Sequence, residues 1–234
     1  MRLIELYKSV QGESSFTGVP CIFVRFAGCN LRCSWCDSEY TFTGGQPATE
    51  DEVVAQIRAL APCPLIEFTG GEPMLHAREL LPLMDRLLND AETQYTLMME
   101  TSGERPLGEV PAAVHKIVDV KCPGSGSAFG SFRMSNLDTL TSRDEIKFVL
   151  RDRRDYEFAR DFIREHLAAK IADGTLGHIL LSPAFIQQPS PLRTADNMEL
   201  DGRDLVHWML EDGLPARMSV QVHKFIWEPQ KKGV

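Results

Sequence analysis

Short apolar runs and amphipathic segments alternate along the chain. Runs with the length of a buried strand cover residues 20–26, 65–69, 95–100, 116–121, 145–150, 179–181 and 218–222. Apolar residues recur at helical spacing over residues 53–60, 78–88, 153–170 and 203–210. This alternation is typical of βαβ units and predicts an α/β fold with a parallel sheet. No internal repeat or linker interrupts the pattern, so we expect a single domain over residues 1–234.

Local signals mark where these elements begin and end. Thr49 and Glu52 form a capping box directly before the first predicted helix. Three predicted strands run into polar or glycine-rich turns, at Gly70-Gly71-Glu72-Pro73, Thr101-Ser102-Gly103 and Lys121-Cys122-Pro123. Because ligands in parallel α/β folds bind at the carboxyl ends of strands, we expect one site that gathers these turns.

Composition and charge narrow the class of protein. The 234 residues are 43% hydrophobic and 25% charged, as in ordinary globular proteins. The net charge of −8 disfavours a nucleic-acid or membrane-surface binder, since both need clustered lysine and arginine. No apolar run is long enough to span a membrane, and the charged start of the chain does not resemble a signal peptide. We therefore expect a cytoplasmic protein whose six cysteines are metal ligands or buried thiols.

Three of these cysteines, Cys29, Cys33 and Cys36, lie in one short loop with the spacing C-x3-C-x2-C. Thiolates are soft ligands that select zinc, copper(I) or iron–sulfur clusters. Structural zinc sites and ordinary 4Fe–4S clusters both take four protein ligands. Three cysteines on a four-iron cluster therefore leave one iron open to bind another molecule. The alternative is a zinc site completed by a fourth ligand from elsewhere, such as His76 or Cys122.

This loop follows a predicted strand, has Trp35 before its third cysteine, and precedes the Gly70-Gly71-Glu72-Pro73 turn. In these features the chain resembles the radical S-adenosylmethionine superfamily. The resemblance implies an incomplete (β/α)6 barrel with parallel strands and a 4Fe–4S cluster at its C-terminal mouth. It also implies that S-adenosylmethionine chelates the open iron through its amine and carboxylate. One electron then cleaves the sulfonium to a 5′-deoxyadenosyl radical.

Further motifs narrow the resemblance to the 7-carboxy-7-deazaguanine synthase family of queuosine and deazapurine biosynthesis. They extend from residue 5 to residue 227 and include Gln11-Gly12-Glu13, Glu100-Thr101-Ser102-Gly103 and His223-Lys224-Phe225-Ile226-Trp227. The family is a carbon–nitrogen lyase that converts 6-carboxy-5,6,7,8-tetrahydropterin to 7-carboxy-7-deazaguanine by hydrogen abstraction, ring contraction and loss of ammonia. The resemblance further implies a homodimer and a reductant such as flavodoxin or ferredoxin.

The resemblance also implies roles for individual residues, and the residue types suit them. Gln11 offers both a donor and an acceptor, Glu13 an acceptor, and Arg25 a two-point clamp for a carboxylate. The implied substrate-binding residues are Val10, Gln11, Gly12, Glu13, Arg25 and Thr69. The implied S-adenosylmethionine-binding residues are Trp35, Asp37, Gly71, Glu72, Thr101, Ser102, Lys121, Cys122, Pro123 and Ser182. Ser38, where the family more often has threonine, is implied to bind Mg²⁺. No catalytic side chain is assigned beyond the cluster and the cofactor.

Two other functions fit part of the pattern. A radical activating enzyme, which makes a glycyl radical on a protein partner, would share the cysteine loop and the glycine turn. The Gln11-Gly12-Glu13 and Arg25 matches disfavour it. An electron-transfer or zinc-binding module would need only the metal, but the chain is long for a carrier with a single cysteine cluster.

Metal analysis of the purified protein separates these functions. After anaerobic reconstitution we expect about four irons and four sulfides per chain, as a 4Fe–4S cluster requires. Replacing one ligand, in Cys33→Ala, should remove the cluster's visible absorbance and all activity. Cys63→Ala, at a cysteine outside the motif, should keep both. One zinc per chain and no iron would contradict the cluster assignment.

Overall fold

The computed structural model describes residues 1–185, 198–227 and 231–233. Within these ranges the chain forms one sheet of nine strands. They are β1 (Arg2–Val10), β2 (Pro20–Phe26), β3 (Gln46–Pro47), β4 (Leu65–Gly70), β5 (Thr96–Thr101), β6 (His115–Asp119), β7 (Glu145–Leu150), β8 (His178–Pro183) and β9 (Arg217–Met218). The strand order is β3-β1-β2-β4-β5-β6-β7-β8-β9.

The sheet is parallel from β2 to β9, which confirms the α/β fold with parallel strands. Only the strands at one edge depart from it, because β1 pairs antiparallel with both β2 and β3. The strand pattern in the sequence did not include β1, whose side chains do not alternate regularly between polar and apolar. The ladder is open, since β3 and β9 are its two ends among the described strands.

Six α-helices occur in the described part of the chain: α1 (Glu50–Ala59), α2 (Ala77–Leu88), α3 (Arg153–Phe162), α4 (Ala168–Ala172), α5 (Gly202–Asp212) and α6 (His223–Ile226). The predicted capping box is confirmed, since Thr49 and Glu52 bond each other reciprocally at the start of α1. The predicted helix over 153–170 is α3 and α4 joined by a π-helical turn, Ile163–Leu167. None of these helices is long and apolar enough to cross a membrane.

Two of the connections between parallel strands contain no α-helix. Residues 102–114 join β5 to β6 as irregular loop, and residues 120–144 join β6 to β7 through two 3-10 turns. The helical crossovers therefore flank only part of the barrel. The segment from β6 to β7 instead lies against the cysteine loop, where Cys33 pairs with Gly126.

The predicted strand over 218–222 is wrong beyond Met218. The amide of Ser219 still bonds the Leu181 carbonyl at 2.9 Å. The amide of Val222 instead donates to the carbonyl of Gly12 at 2.8 Å, and α6 follows directly. The chain leaves the sheet here because its hydrogen-bond partner belongs to the loop after β1.

Alternate residues of each strand face two different environments, as the strand period requires. One face packs against the helices and forms the main core; on β4 it carries Ile66 and Phe68. The other face begins with a smaller apolar layer, formed by Cys21, Phe23, Leu65, Met98 and Ile117. This second face, on the inside of the sheet, becomes polar towards the carboxyl ends of the strands, at Arg25, Glu67, Thr69, Glu100 and Asp119. The inner face is therefore apolar at its base and polar towards the carboxyl ends of the strands.

Candidate active site

A cavity of about 540 Å³ opens at the polar, carboxyl end of the strands. Most of the residues singled out in the sequence line it: Val10, Gln11, Gly12, Glu13, Arg25, Cys29, Cys33, Trp35, Cys36, Asp37, Ser38, Thr69, Gly71, Thr101, Ser102 and Lys121. Four others, Glu72, Cys122, Pro123 and Ser182, do not line it. The cysteine loop and the loop that carries Gln11-Gly12-Glu13 therefore meet at one cavity.

The cysteine loop presents its three thiols to this cavity, and none is in a disulfide. Burial raises the pKa of all three thiols, while the Lys121 ammonium favours the thiolate at Cys29 and Cys33. The backbone amide of Leu31 also points at the Cys29 sulfur, at 3.4 Å. Three free thiols beside a cation and an N–H donor suit a thiolate-bound iron–sulfur cluster.

A fourth protein ligand for zinc is not at hand in the described structure. His76 bonds the Ala27 carbonyl through Nε2 at 2.8 Å and stacks on Phe26. Cys122 is fully buried, with its sulfur towards the Val120 carbonyl. Neither side chain lines the cavity, and no three His, Cys, Asp or Glu residues in the described ranges are placed to hold one metal ion. The thiol arrangement therefore fits the cluster better than a closed zinc site.

The glycine turn after β4 is shaped by close backbone packing. Gly70 has φ +137°, and a Cβ there would lie 2.4 Å from the backbone N and O of Phe26. A Cβ on Gly71 would lie 2.0 Å from the carbonyl oxygen of Gly28. Only glycine allows this approach, which seats the start of the cysteine loop on the turn.

Glu72 lies behind the cavity wall and is buried. Its carboxylate accepts hydrogen bonds from Thr101 Oγ1 at 2.7 Å and from Ser102 N and Oγ at 2.9 and 2.7 Å. Thr101 and Ser102 do line the cavity, so Glu72 orients them from behind. The other three predicted residues that do not line the cavity lie just outside it. Cys122 and Pro123 begin a 3-10 turn, and Ser182 is buried on β8.

Arg25 is held in a fixed orientation by its neighbours. Its Nε donates to Glu5 Oε1 at 2.9 Å and one terminal nitrogen donates to the Tyr7 hydroxyl at 3.1 Å. Glu5 also accepts from the Tyr40 hydroxyl at 2.8 Å. Burial opposes the charge, but Tyr7, Tyr40 and Glu5 together raise the pKa of Arg25 above its usual value. The guanidinium is thus a permanent, oriented cation in the cavity wall.

Lys147, on β7, is the centre of a buried charge cluster that the sequence reasoning missed. Its ammonium pairs with Glu13 at 2.6 Å and with Glu100. Burial would raise the pKa of Glu13, but Lys147, His223 and Gln221 together lower it to about 2. The signal in the sequence was a charged residue inside an apolar strand, as in Glu145–Leu150.

The helix α6 closes one side of the cavity. The His223 ring packs on Gly12, where an added Cβ would lie 2.2 Å from Nδ1. Gln221 Nε2 donates to Glu13 Oε1 at 2.7 Å, and Lys224 Nζ pairs with Asp37 Oδ2 at 2.7 Å. The segment 221–224 therefore joins the Gln11-Gly12-Glu13 loop to the cysteine loop. The sequence motif was visible, but its spacing assigned no role.

Comparison with known proteins agrees with this geometry. The profile of the Radical SAM superfamily matches residues 23–182. The chain is 55% identical to a 7-carboxy-7-deazaguanine synthase from Koribacter versatilis over the full length of both chains. It is 36% identical to one from Chlorobaculum tepidum, over all of this chain and 97% of that one. The crystal structure of QueE from Escherichia coli is similar with a TM-score of 0.71 and 25% identity, covering 95% of this chain and 94% of that one.

The contact between Gly12 and His223 can be tested by adding one methyl group. In Gly12→Ala the new Cβ would overlap the His223 ring and push α6 from the loop after β1. We expect faster hydrogen exchange over residues 222–226 and a lower kcat/KM. Gly108→Ala is the matched control, because its Cβ would meet nothing closer than 3.7 Å. Unchanged exchange in Gly12→Ala would show that α6 does not depend on this contact.

Proposed function

The chain belongs to the radical S-adenosylmethionine superfamily and to its 7-carboxy-7-deazaguanine synthases, and we propose that it converts 6-carboxy-5,6,7,8-tetrahydropterin to 7-carboxy-7-deazaguanine. The reaction releases ammonia and makes the protein a carbon–nitrogen lyase of queuosine and deazapurine biosynthesis. The observation that carries the proposal is the meeting of the cysteine loop with Gln11, Glu13 and Arg25 around one cavity.

The cofactors of this chemistry are a 4Fe–4S cluster and S-adenosylmethionine. When bound, they supply the one-electron radical chemistry that removes a hydrogen atom from the substrate. Cys29, Cys33 and Cys36 would hold the cluster. The side chains of the cofactor half of the cavity, Trp35, Asp37, Thr101, Ser102 and Lys121 together with the Gly71 backbone, would bind S-adenosylmethionine. Glu72 supports this half indirectly, by fixing the hydroxyls of Thr101 and Ser102.

The substrate half of the cavity offers groups that complement a carboxylated pterin. Arg25 uses two of its five N–H donors on Glu5 and Tyr7, which leaves others for the substrate carboxylate. The amide of Gln11 is oriented by accepting from the Glu13 backbone N–H at 2.9 Å. Glu13, pinned by Lys147 and Gln221, presents an ionised acceptor to ring N–H groups. Val10, Gly12 and Thr69 complete this wall.

Ser38 is the residue we assign to Mg²⁺. Its hydroxyl lies 3.2 Å from Asp37 Oδ1 on the cavity wall. Hard oxygen donors of this kind suit magnesium, which keeps several waters and takes only one or two protein ligands. Oxygens of the substrate would complete the shell.

The remaining expectations about the cellular context also belong to the proposal. The family resemblance supports one radical S-adenosylmethionine domain over residues 1–234, a homodimer, a cytoplasmic location and a reductant such as flavodoxin or ferredoxin. The activating-enzyme alternative is not supported, because the chain matches 7-carboxy-7-deazaguanine synthases over all or nearly all of their length.

Anaerobic turnover of the reconstituted protein tests the proposal. The assay contains dithionite, Mg²⁺, S-adenosylmethionine and 6-carboxytetrahydropterin, and products are identified by mass spectrometry. We expect 7-carboxy-7-deazaguanine and ammonia in equal amounts. Formation of 5′-deoxyadenosine without the deazaguanine would contradict the substrate assignment. If a cluster-loaded protein formed neither 7-carboxy-7-deazaguanine nor 5′-deoxyadenosine, the enzymatic role itself would be contradicted.

Arg25 separates substrate binding from the radical machinery. Arg25→Ala should retain the cluster and the reductive cleavage of S-adenosylmethionine, because its contacts are with Glu5 and Tyr7 and not with the cysteines. Loss of a charge-assisted hydrogen bond should weaken substrate binding at least about tenfold. Arg58→Ala, at a surface arginine paired with Asp90, is the control. Wild-type substrate affinity in Arg25→Ala would remove Arg25 from the site.

A further inference from the structure

Glu67 is a buried carboxyl group that the proposed mechanism has not yet used. It lies in the middle of β4, lines the cavity and is only 2% exposed. Its neighbours on the inner face towards the base of the sheet are apolar, namely Leu65 on its own strand and Met98 and Cys21 on adjacent strands. The carboxyl therefore sits at the boundary between the apolar layer and the polar cavity, where ionisation is costly.

The cations near Glu67 are already paired with other carboxylates. Lys147 pairs with Glu13 and Glu100, and Arg25 pairs with Glu5. Glu67 itself has no salt bridge among the described residues. The titratable and charged groups that face it are Tyr7 and Glu13 from β1 and the loop after it, Cys21 and Arg25 from β2, Glu100 from β5 and Lys147 from β7.

Three carboxyl groups, Glu13, Glu67 and Glu100, thus share one lysine. Two of them, Glu13 and Glu100, contact its ammonium directly, and Glu67 does not. Burial raises the pKa of Glu100 as well, but the contact with Lys147 opposes that rise. Burial, followed by the charges of Glu100 and Glu13, raises the pKa of Glu67 well above its usual value. Glu67 is therefore the carboxyl group of the three whose ionised form has no cation in contact.

The hydrogen bonds of Glu67 leave one oxygen available. Gln11 Nε2 donates to Oε2 of Glu67. The orientation of that amide is set from the other end, because Gln11 Oε1 accepts from the Glu13 backbone. Oε1 of Glu67 has no hydrogen-bond partner in the part of the chain that the structure describes. A proton on Oε1 would therefore be free to donate into the cavity.

An aromatic wall adjoins this group. Phe23 is the residue opposite Glu67 in the parallel register of β2 and β4, and it stacks on Tyr7 with ring centroids 5.2 Å apart. Both rings line the cavity. A flat heterocycle packed against this wall would bring its polar edge to Gln11, Glu13 and Glu67.

We infer that Glu67 is a substrate-recognition residue whose neutral carboxyl donates a hydrogen bond to the carbonyl or ring nitrogen of the pterin. The inference rests on the proposed function. The 2-amino-4-oxopyrimidine part of a pterin carries N–H donors beside a carbonyl acceptor. Three ionised carboxylates would offer it acceptors only, whereas a protonated Glu67 supplies a donor beside them. Ionised Glu13 is left to accept from the ring N–H groups.

The protonation of Glu67 can be measured without turnover. Infrared difference spectra of wild-type holoenzyme against Glu67→Gln at pH 7 should contain the carbonyl stretch of one protonated carboxyl group. Glu109→Gln, at an exposed glutamate, should give no such band. Absence of the band from the difference spectrum of wild type against Glu67→Gln would overturn the inference, because Glu67 would then carry no proton.

Two variants test the hydrogen bond itself. Glu67→Gln keeps a neutral donor of the same length, and Glu67→Met keeps the length without a donor. The probe is 7-carboxy-7-deazaguanine, which retains the same ring edge, and its Kd is measured by calorimetry beside KM and kcat for the substrate. We expect Glu67→Gln to keep Kd and KM near wild type. Loss of one hydrogen bond in Glu67→Met should raise both about five- to tenfold with little change in kcat.

The pH dependence provides a second readout. Because only the protonated form donates, wild-type affinity should be constant at low pH and fall as pH rises through the pKa of Glu67. In Glu67→Gln this fall should disappear. Suppose that the wild type turns over but Glu67→Gln and Glu67→Met lose the same affinity, or that Glu67→Met loses none. Either result would overturn the inference. If the wild type makes no deazaguanine, the proposed function fails instead, and the infrared band still reports whether Glu67 is neutral.

Discussion

The ammonium of Lys147 is the interaction on which the polar half of the molecule depends. It brings together Glu100 at the end of β5 and Glu13 in the loop after β1, two residues far apart in the chain. Without that cation, the buried carboxylates would repel each other and the loop after β1 would lose its anchor to the parallel strands. A buried ion pair of this kind is costly to form and costly to break, so its main effect is to define one geometry.

The cofactor half is organised by a different force, which is close backbone packing. Gly70 and Gly71 let the turn after β4 contact the start of the cysteine loop, and Glu72 ties the same turn to the end of β5. The segment 221–224 then links the two halves, through Gln221 on Glu13 and Lys224 on Asp37. Hydrogen bonds and an ion pair therefore connect the Gln11-Gly12-Glu13 loop, the cysteine loop and the segment 221–224, although these come from opposite ends of the chain.

Much of the site could be predicted because its residues are local in sequence. The three thiols, the glycine turn and the Gln11-Gly12-Glu13 motif each lie within a few residues, and their chemistry can be inferred without knowing the fold. The parallel sheet then predicts that they meet, because parallel strands end at one edge. Glu67, Glu100 and Lys147 were missed as site residues, although each is a charged residue within a largely apolar strand. A single charge in a strand does not reveal its partners.

What the sequence by itself determined is the alternation of strands and helices, the metal-binding loop and the family. Period and spacing are local properties, and they specify which residues share one face of one strand. Only the tertiary structure decided which faces lie opposite each other. The register across β4, β5, β6 and β7 puts Lys147 near Glu67 and Glu100, and the loop after β1 adds Glu13. The departure of the chain from β9 puts His223 on Gly12. Such contacts depend on the packing of the whole sheet, because the residues involved are separated by tens to hundreds of positions.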